Sequence, residues 1–235
     1  SFPNLPSPLW RQRSARDGRI RVAYLSADYR SHVVGFASIE LVERHDRRQF
    51  EIIGISVGPE TLGPTRARFI AAFDAFHDVR DKTDEEIARL LADLDVDILV
   101  DLSGFCEHGR PEILAYRGAP IQVSYLGFPH TRGAPFVDYL LSDTVTTPRD
   151  MQKFYVEKIA ALPDCYLMSD THQYEIPSPP SRAVAGLPES GFVFCAFNQW
   201  RKITPGIFDV WLRILKRVKG SVLWLRCDDA TAQQN

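Results

Sequence analysis

Residues 192–205 read FVFCAFNQWRKITP and predict a strand, a cationic loop and the start of a helix. The apolar run that opens this stretch is typical of a strand that is covered on both faces. Arg201 and Lys202 bring positive charge to the loop that follows the strand. Thr204 then suits the N-cap of a helix, and Pro205 suits its first position. A lysine between a strand end and a helix N-terminus favours an anion site, with an ordinary basic surface loop as the alternative.

Strand-like and helix-like patterns alternate upstream of this stretch. The strand patterns lie at residues 20–25, 50–57, 75–79, 97–102, 121–126 and 137–141, and the helix patterns at residues 36–44, 64–73, 83–93 and 111–116. Acidic residues directly after Thr83 suit the first turn of the helix that this threonine caps. Alternation of this kind predicts an α/β fold with a parallel, doubly wound sheet.

The composition changes over residues 168–185, which are polar and contain three prolines. We therefore predict an N-terminal extension at residues 1–18, a first lobe at 19–168, a linker at 169–185 and the beginning of a second lobe at 186–235. The second lobe has only a strand, a helix and a strand pattern, and one such unit cannot bury both faces of its sheet. We expect further sequence or a second chain to complete it.

The 235-residue chain has an ordinary globular composition, with 45% hydrophobic and 25% charged residues. A net charge of −2 and the absence of a membrane-length apolar run predict neither a nucleic-acid partner nor a membrane. Residues 1–13 lack the apolar core of a signal peptide. The four cysteines form no CxxC pair, which favours reduced cysteines in a cytoplasmic protein. No GxGxxG, P-loop or HExxH motif is present, and we expect no metal.

Three polar loops follow strands of the first lobe. They are residues 26–35 (SADYRSHVVG), 101–110 (DLSGFCEHGR) and 127–133 (GFPHTRG). Because ligands of such sheets bind beyond the carboxyl ends of the strands, these loops predict one shared cleft. The candidate cleft residues are Asp28, His32, Asp101, Gly104, Pro129, His130 and Thr131. His32 is a candidate general base that Asp28 would orient, and a turn histidine that only caps a helix is the alternative.

Longer segments around these loops carry a family resemblance. They are RIRVAYLSADYRSH at residues 19–32, APIQVSYLGFPHTRGAPFVDYLLSD at 119–143, and FNQWRKITP at 197–205 with LKRVKGSVLWL at 215–225. Together they resemble the catalytic region of the O-linked N-acetylglucosamine transferases, which are nucleocytoplasmic protein glycosyltransferases with bacterial homologues. The resemblance covers most of residues 19–225 and is closer to a bacterial homologue than to the animal enzymes.

The resemblance implies a GT-B architecture, in which two Rossmann-like lobes hold the active site between them. It implies inverting, metal-independent transfer of N-acetylglucosamine from UDP-GlcNAc to Ser or Thr hydroxyls of proteins, without a cofactor. His32 matches the family's active-site histidine. Lys202 matches the lysine that contacts the UDP diphosphate, and Gln199 matches a nucleotide-contacting glutamine, with Asn198 and Arg201 flanking them. A lysine and helix-end N–H groups are suited to the negative charge that develops on a departing diphosphate.

Three positions depart from the animal members, which have an aromatic residue at Arg201, glycine at His130 and asparagine at Asp101. These differences bear on acceptor specificity. The resemblance places the family's tetratricopeptide repeats and the rest of its UDP-binding lobe outside this chain, so we expect this piece alone to be inactive. The alternatives are a related transferase that uses another donor, such as GDP-fucose, and a non-enzymatic α/β binding module.

Overall fold

The structure is a computed structural model that describes residues 5–11, 18–172 and 178–226. The chain forms two compact units, which divide between residues 174 and 175. This boundary falls inside the segment that the sequence predicts to be a linker. Each unit is described separately below.

The first unit is built on a sheet of seven parallel strands. The strands are β1 (Ile20–Ser26), β2 (Phe50–Ser56), β3 (Ala75–Asp78), β4 (Ile98–Asp101), β5 (Ile121–Ser124), β6 (Tyr139–Asp143) and β7 (Lys158–Leu162). Their spatial order is β3-β2-β1-β4-β5-β6-β7, so the strand order reverses between β1 and β4. This reversal is the switch point at which open α/β sheets bind their ligands.

Helices cover both faces of this sheet. They are α1 (Val33–Arg44), α2 (Pro64–Ala72), α3 (Asp84–Asp93) and α4 (Glu112–Ala115), with a 3₁₀ turn at Arg149–Phe154. Alternate residues of β1 enter two separate cores: Val22 packs with residues of α1 and α2, and Ala23 with residues of α3 and α4. The predicted α/β class and doubly wound sheet are therefore confirmed. Among the described residues, no helix combines the length and apolar character needed to cross a membrane.

Local signals in the sequence fix several helix starts. The Thr83 hydroxyl accepts a hydrogen bond from the backbone N–H of Glu86, whose carboxylate accepts from the backbone N–H of Thr83 at 2.7 Å. This reciprocal capping box satisfies two backbone donors that a helix start leaves unpaired. The His32 side chain caps α1, which begins three residues earlier than the sequence pattern at residue 36 predicts. The cap therefore brings α1 directly against the loop that follows β1.

The sequence pattern differs from the structure at three strands on one side of the switch point, and it places β6 at residues 137–141, two residues before Tyr139–Asp143. It predicts a strand over residues 121–126, but β5 ends at Ser124, and Leu126 adopts a left-handed conformation with φ of +70°. Strand β7 is not predicted at all; it is the edge strand, and its residues are half-buried or exposed. The backbone stays attached to the neighbouring chain segment beyond the end of β5, because the N–H of Tyr125 donates to the Asp101 carbonyl at 3.0 Å and the N–H of Gly127 donates to the Leu102 carbonyl at 3.2 Å.

The second unit contains a two-stranded parallel sheet and one long helix. Its elements are β8 (Val193–Ala196), a 3₁₀ turn at Trp200–Lys202, α5 (Pro205–Arg217) and β9 (Val222–Leu225). The sequence predicts a strand covered on both faces here, but Phe192, Cys195 and Phe197 are exposed. Two strands and one helix lack the surface to cover both faces of a sheet.

The segment just before the boundary is tied to the first unit by charge. Glu40 on α1 accepts hydrogen bonds from the backbone N–H and the hydroxyl of Thr171, and it pairs with Arg44. Asp170 receives both terminal nitrogens of Arg68 on α2. Residues 170–171 therefore belong to the first unit, although the sequence assigns them to the linker by composition.

We expect this anchor to weaken in acid. The Thr171 backbone N–H, then its hydroxyl and Arg44, lower the pKa of Glu40 from 4.5 to about 2. A carboxyl whose pKa is depressed by folding stabilises the fold above its unfolded pKa, and this stabilisation is lost as the pH falls towards the folded value. Glu40→Gln should therefore destabilise the protein most near pH 7, and the difference from the wild type should shrink between pH 4.5 and pH 2.

Urea unfolding of both proteins over a series of pH values measures this difference. Glu107→Gln is the matched control, because the Glu107 side chain is exposed in a loop and its removal should change little at any pH. A Glu40→Gln penalty that stays constant down to pH 3 would show that the carboxylate charge does not hold this segment.

Candidate functional site

The three polar loops predicted to share a cleft do lie at one edge of the first unit. They follow β1, β4 and β5, which are consecutive in the sheet and straddle its switch point. The backbone N–H of Ala27 donates to the Ser103 hydroxyl at 2.9 Å, which joins the first loop to the second. The Cys106 thiol donates to the Gly127 carbonyl at 3.0 Å, which joins the second loop to the third. Burial, and then the Asp28 carboxylate, raise the pKa of that thiol, so it stays protonated.

His32 and Asp28 meet in the first loop. Nδ1 of His32 lies 3.3 Å from Oδ2 of Asp28, and it also lies 3.3 Å from the backbone nitrogen of Val34. Asp28 is buried, and its Oδ1 receives Nε and Nη2 of Arg30 at 3.2 and 2.9 Å. The His32 ring is 35% exposed, so a reactant can approach it while the carboxylate behind it stays covered.

The two contacts of His32 require different tautomers. Capping of α1 needs a lone pair on Nδ1, whereas a hydrogen bond to Asp28 needs a proton there. The second tautomer leaves the lone pair on Nε2, which is the arrangement that a general base needs. His32 therefore has the geometry both of the capping residue and of a base oriented by a buried carboxylate.

Asp101 ends β4 and is fully enclosed rather than open to a ligand. Its carboxylate accepts backbone hydrogen bonds from Ser103 at 2.9 Å and from Gly104 at 3.2 Å. Gly104 adopts a φ of +62°, and a Cβ there would lie 2.4 Å from the guanidinium of Arg132. Both predicted cleft residues thus shape the loop: Asp101 holds its backbone, and Gly104 admits an arginine side chain.

The third loop carries one exposed and two engaged candidates. The His130 ring is exposed and packs edge-on against Phe128, with 5.7 Å between ring centroids. The Thr131 hydroxyl instead donates to Oε2 of Glu157 at 2.7 Å, so it supports the loop. Pro129 is half-buried. Of the three, His130 is the side chain placed to touch a ligand.

Sequence reasoning missed three residues that hold this edge together. Arg132 pairs with Asp101 and Ser124, and Glu157 receives the backbone N–H of Arg132 at 2.6 Å. All four side chains are buried. One signal was present, because an aspartate at the end of a buried strand needs a donor partner and an arginine stood in a neighbouring loop. Asp101 and Arg132 lie 31 residues apart in the sequence, so local sequence patterns cannot predict their pairing.

The candidate anion loop of the second unit has the predicted strand-loop-helix form. The Thr204 side chain caps α5, which begins at Pro205 as the sequence predicts. Lys202 lies in the 3₁₀ turn just before this cap, and its side chain is exposed. Within the described residues, no ion pair or side-chain hydrogen bond engages its ammonium group. A free lysine beside an exposed helix N-terminus is suited to binding an anion.

The other candidates of this loop are also exposed. Gln199 precedes the 3₁₀ turn, and its carbonyl side-chain oxygen accepts a hydrogen bond from Nε of Arg201 at 3.0 Å. Asn198 lies one residue earlier, beyond the end of β8. The contact to Arg201 uses the side-chain oxygen of Gln199 and leaves its amide nitrogen out of this hydrogen bond. All four predicted nucleotide-contacting residues therefore lie on one short, accessible loop.

One cluster elsewhere has the composition of a metal site. Oxygen or nitrogen atoms of Glu40, Asp170 and His172 lie within 4.8 Å of one another. Both carboxylates already have partners: Glu40 binds Thr171 and the arginine of α1, and Asp170 binds the arginine of α2. The side chain of Arg68 lowers the pKa of Asp170, which is the effect of a partner already in place. These contacts explain the cluster as the anchor that ties residues 170–171 to the first unit.

The fold and the three loops at the sheet edge indicate the class of protein to which this chain belongs. A bacterial O-GlcNAc transferase from Thermobaculum terrenum, solved as a lysine-to-methionine mutant, superposes with a TM-score of 0.78 at 30% identity. The superposition covers 95% of this chain and 41% of that chain. The architecture is therefore that of a GT-B glycosyltransferase, with a Rossmann-like first unit and a smaller α/β second unit.

The chain belongs to glycosyl transferase family 41, which matches residues 6–185 and 176–234. Among curated relatives, the probable UDP-N-acetylglucosamine–peptide N-acetylglucosaminyltransferase SEC of Arabidopsis thaliana is 35% identical over 94% of this chain. The probable enzyme SPINDLY of the same plant is 32% identical over 88% of it. The resemblance to O-GlcNAc transferases is thus confirmed. The chain spans 23% of the length of both relatives.

Proposed function

We propose that this chain is part of a cytoplasmic protein O-GlcNAc transferase that moves N-acetylglucosamine from UDP-GlcNAc to Ser or Thr hydroxyls of proteins. The observation that carries the proposal is the His32–Asp28 pair at the switch point of a family 41 sheet. It supplies a half-exposed imidazole with a buried carboxylate behind it, at the edge where such sheets bind ligands. The names of the relatives support the donor and the protein acceptor.

In the proposed reaction, the acceptor oxygen attacks the anomeric carbon as the bond from that carbon to the diphosphate oxygen breaks. The hydroxyl proton passes to Nε2 of His32, while Nδ1 holds its own proton towards Asp28. Attack from the face opposite the leaving group inverts the anomeric configuration. The electron pair of the broken bond leaves with UDP.

The loop of the second unit has the complementary role. Lys202 and the N-terminal N–H groups of α5 offset the negative charge that grows on the departing diphosphate. We propose that these groups replace a metal ion in this step. Gln199, Asn198 and Arg201 line the same loop and would contact the nucleotide.

We also propose that the activity requires more of the catalytic region than this chain spans. The support is that the matched solved chain and the curated relatives are longer. The exposed apolar side chains of β8 and α5 fit an incomplete second Rossmann-like lobe, which further sequence or a second chain would complete. Assays of transfer therefore use the full-length protein.

Nucleotide binding separates the proposal from its alternatives. We expect calorimetric titration of the full-length protein to give a lower Kd for UDP than for GDP, by a factor of about 10 or more, since a site built to hydrogen-bond one base leaves groups unpaired with another. Tighter binding of GDP would favour the related transferases that use a GDP-linked sugar. A stably folded protein that binds neither nucleotide would favour a non-enzymatic binding module.

A further inference from the structure

The side chain of Arg132 is buried where the loops after β4 and β5 meet. Only 2% of it is exposed, and the same holds for the Asp101 side chain. Nη2 of Arg132 donates to Oδ2 of Asp101 at 3.0 Å, and Nε donates to the Ser124 hydroxyl at 3.0 Å. The guanidinium thus bonds to the last residue of β4 and the last residue of β5.

The guanidinium sits in a slot that fits its planar shape. The rings of Phe105 and Phe128, one from each loop, lie 5.4 Å from its central carbon. Gly104 closes a third side, where a Cβ would lie 2.4 Å from Nη1. Contact of a cation with aromatic rings, together with directed hydrogen bonds, selects arginine over lysine at such a site.

The Asp101 carboxylate, which binds Arg132, is also connected through hydrogen bonds to the loop that carries the candidate base. Asp101 accepts the backbone N–H of Ser103, and the Ser103 hydroxyl accepts the backbone N–H of Ala27. Ala27 immediately precedes Asp28, which faces His32. A continuous series of hydrogen bonds therefore runs from Arg132 through the loop after β4 to the loop that carries His32.

The backbone of the loop that carries Arg132 is held by a different residue, Glu157. Oε1 of buried Glu157 accepts the Arg132 backbone N–H at 2.6 Å, and Oε2 accepts the Thr131 hydroxyl at 2.7 Å. Glu157 therefore holds the backbone of this loop without using the side chain of Arg132. That side chain is left to contact the residues of the neighbouring loops. A polar network of this kind rigidifies a site when all of its members are satisfied.

We propose that Arg132 is a positioning residue, which sets the loops after β1, β4 and β5 in register so that His32 meets the acceptor hydroxyl. This inference rests on the proposed function. Misplacement of a reacting group by about 1 Å can lower a rate by about 100-fold. Loss of the Arg132 side chain should therefore lower kcat strongly and leave the UDP affinity, assigned to the second-unit loop, within twofold.

Chemical rescue tests the proposal. In the full-length protein, Arg132→Ala should lower transfer from UDP-GlcNAc by about 10- to 100-fold. Guanidinium ion at low, non-denaturing concentration should restore at least a tenth of the wild-type rate by filling the vacated slot, whereas sodium ion should not. Arg89→Ala is the control, because Arg89 is exposed on α3, and this variant should keep the wild-type rate with or without guanidinium.

A folded Arg132→Ala protein with wild-type kcat, or a loss of rate that guanidinium leaves unchanged, would overturn the proposal. If that variant fails to fold because Asp101 is left unpaired, Asp101→Asn with Arg132→Met removes the buried charge. A folded double variant that transfers at the wild-type rate would also overturn it. A double variant with low kcat and unchanged UDP affinity supports it.

A readout without turnover separates this inference from the proposed function. The imidazole NMR resonances of His32 should shift in Arg132→Ala and return towards their wild-type positions when guanidinium is added. If the wild type transfers no sugar, the proposed function fails, but the His32 resonances still decide the positioning role. Resonances that do not respond to Arg132→Ala would overturn that role even in an active enzyme.

Discussion

Lys202→Ala should lower the rate of sugar transfer by the full-length protein about 100- to 1,000-fold, the loss expected when one donor to a developing negative charge is removed. The Lys202 side chain is exposed in the turn before α5 and takes part in no ion pair or side-chain hydrogen bond among the described residues. Its removal should therefore leave the melting temperature unchanged. The effect should appear in kcat more than in KM, because the charge on the diphosphate grows in the transition state.

Steady-state kinetics and a thermal melt of the same samples measure both parts. Lys216→Ala is the matched control, because Lys216 is an exposed lysine in the last turn of the same helix and its removal should leave the rate unchanged. Transfer by Lys202→Ala at the wild-type rate would show that this loop is an ordinary basic surface loop.

His32→Asn should abolish most of the transfer without unfolding α1. Asparagine is among the preferred N-cap residues, so it can replace the contact of His32 to Val34 while it removes the titratable nitrogen. We expect a loss of about 100- to 10,000-fold in kcat, the usual contribution of a positioned general base. The free energy of unfolding should change by only a few tenths of a kcal/mol.

His32→Ala completes the comparison, because it removes both the base and the cap. It should lose the same activity as His32→Asn and in addition about 1 kcal/mol of stability, measured by urea unfolding. His172→Asn is the control for the loss of activity, because His172 is an exposed histidine outside the three loops. If His32→Asn keeps wild-type kcat while His32→Ala loses stability, capping is the whole role of this residue.

Features determined by neighbouring residues could be predicted from the sequence. The strand at residues 20–25, the Thr83 helix cap and the Thr204–Pro205 helix start each depend on residues within one turn or strand. The shared edge of the three loops also follows from the parallel sheet, because every strand that enters a loop there points the same way.

Features that depend on distant partners could not be predicted. Asp101 at a strand end has the pattern of a cleft carboxylate, but Arg132 and two backbone N–H groups enclose it. The left-handed conformation of Leu126, just after β5, is uncommon for a leucine and has no signal in the local sequence. Whether a polar residue at this edge can contact a ligand therefore depends on whether a side chain distant in sequence already pairs with it.

Intact-mass spectrometry of a protein acceptor tests the central claim most directly. The acceptor is incubated with UDP-GlcNAc and the full-length protein, either wild type, His32→Asn or Lys202→Ala, and modified residues are then located by peptide fragmentation. The account predicts a gain of one or more N-acetylhexosamine masses on Ser or Thr with the wild type, and almost none with either variant. An unmodified acceptor in the presence of a folded, UDP-binding wild-type protein, or equal modification by all three proteins, would contradict it.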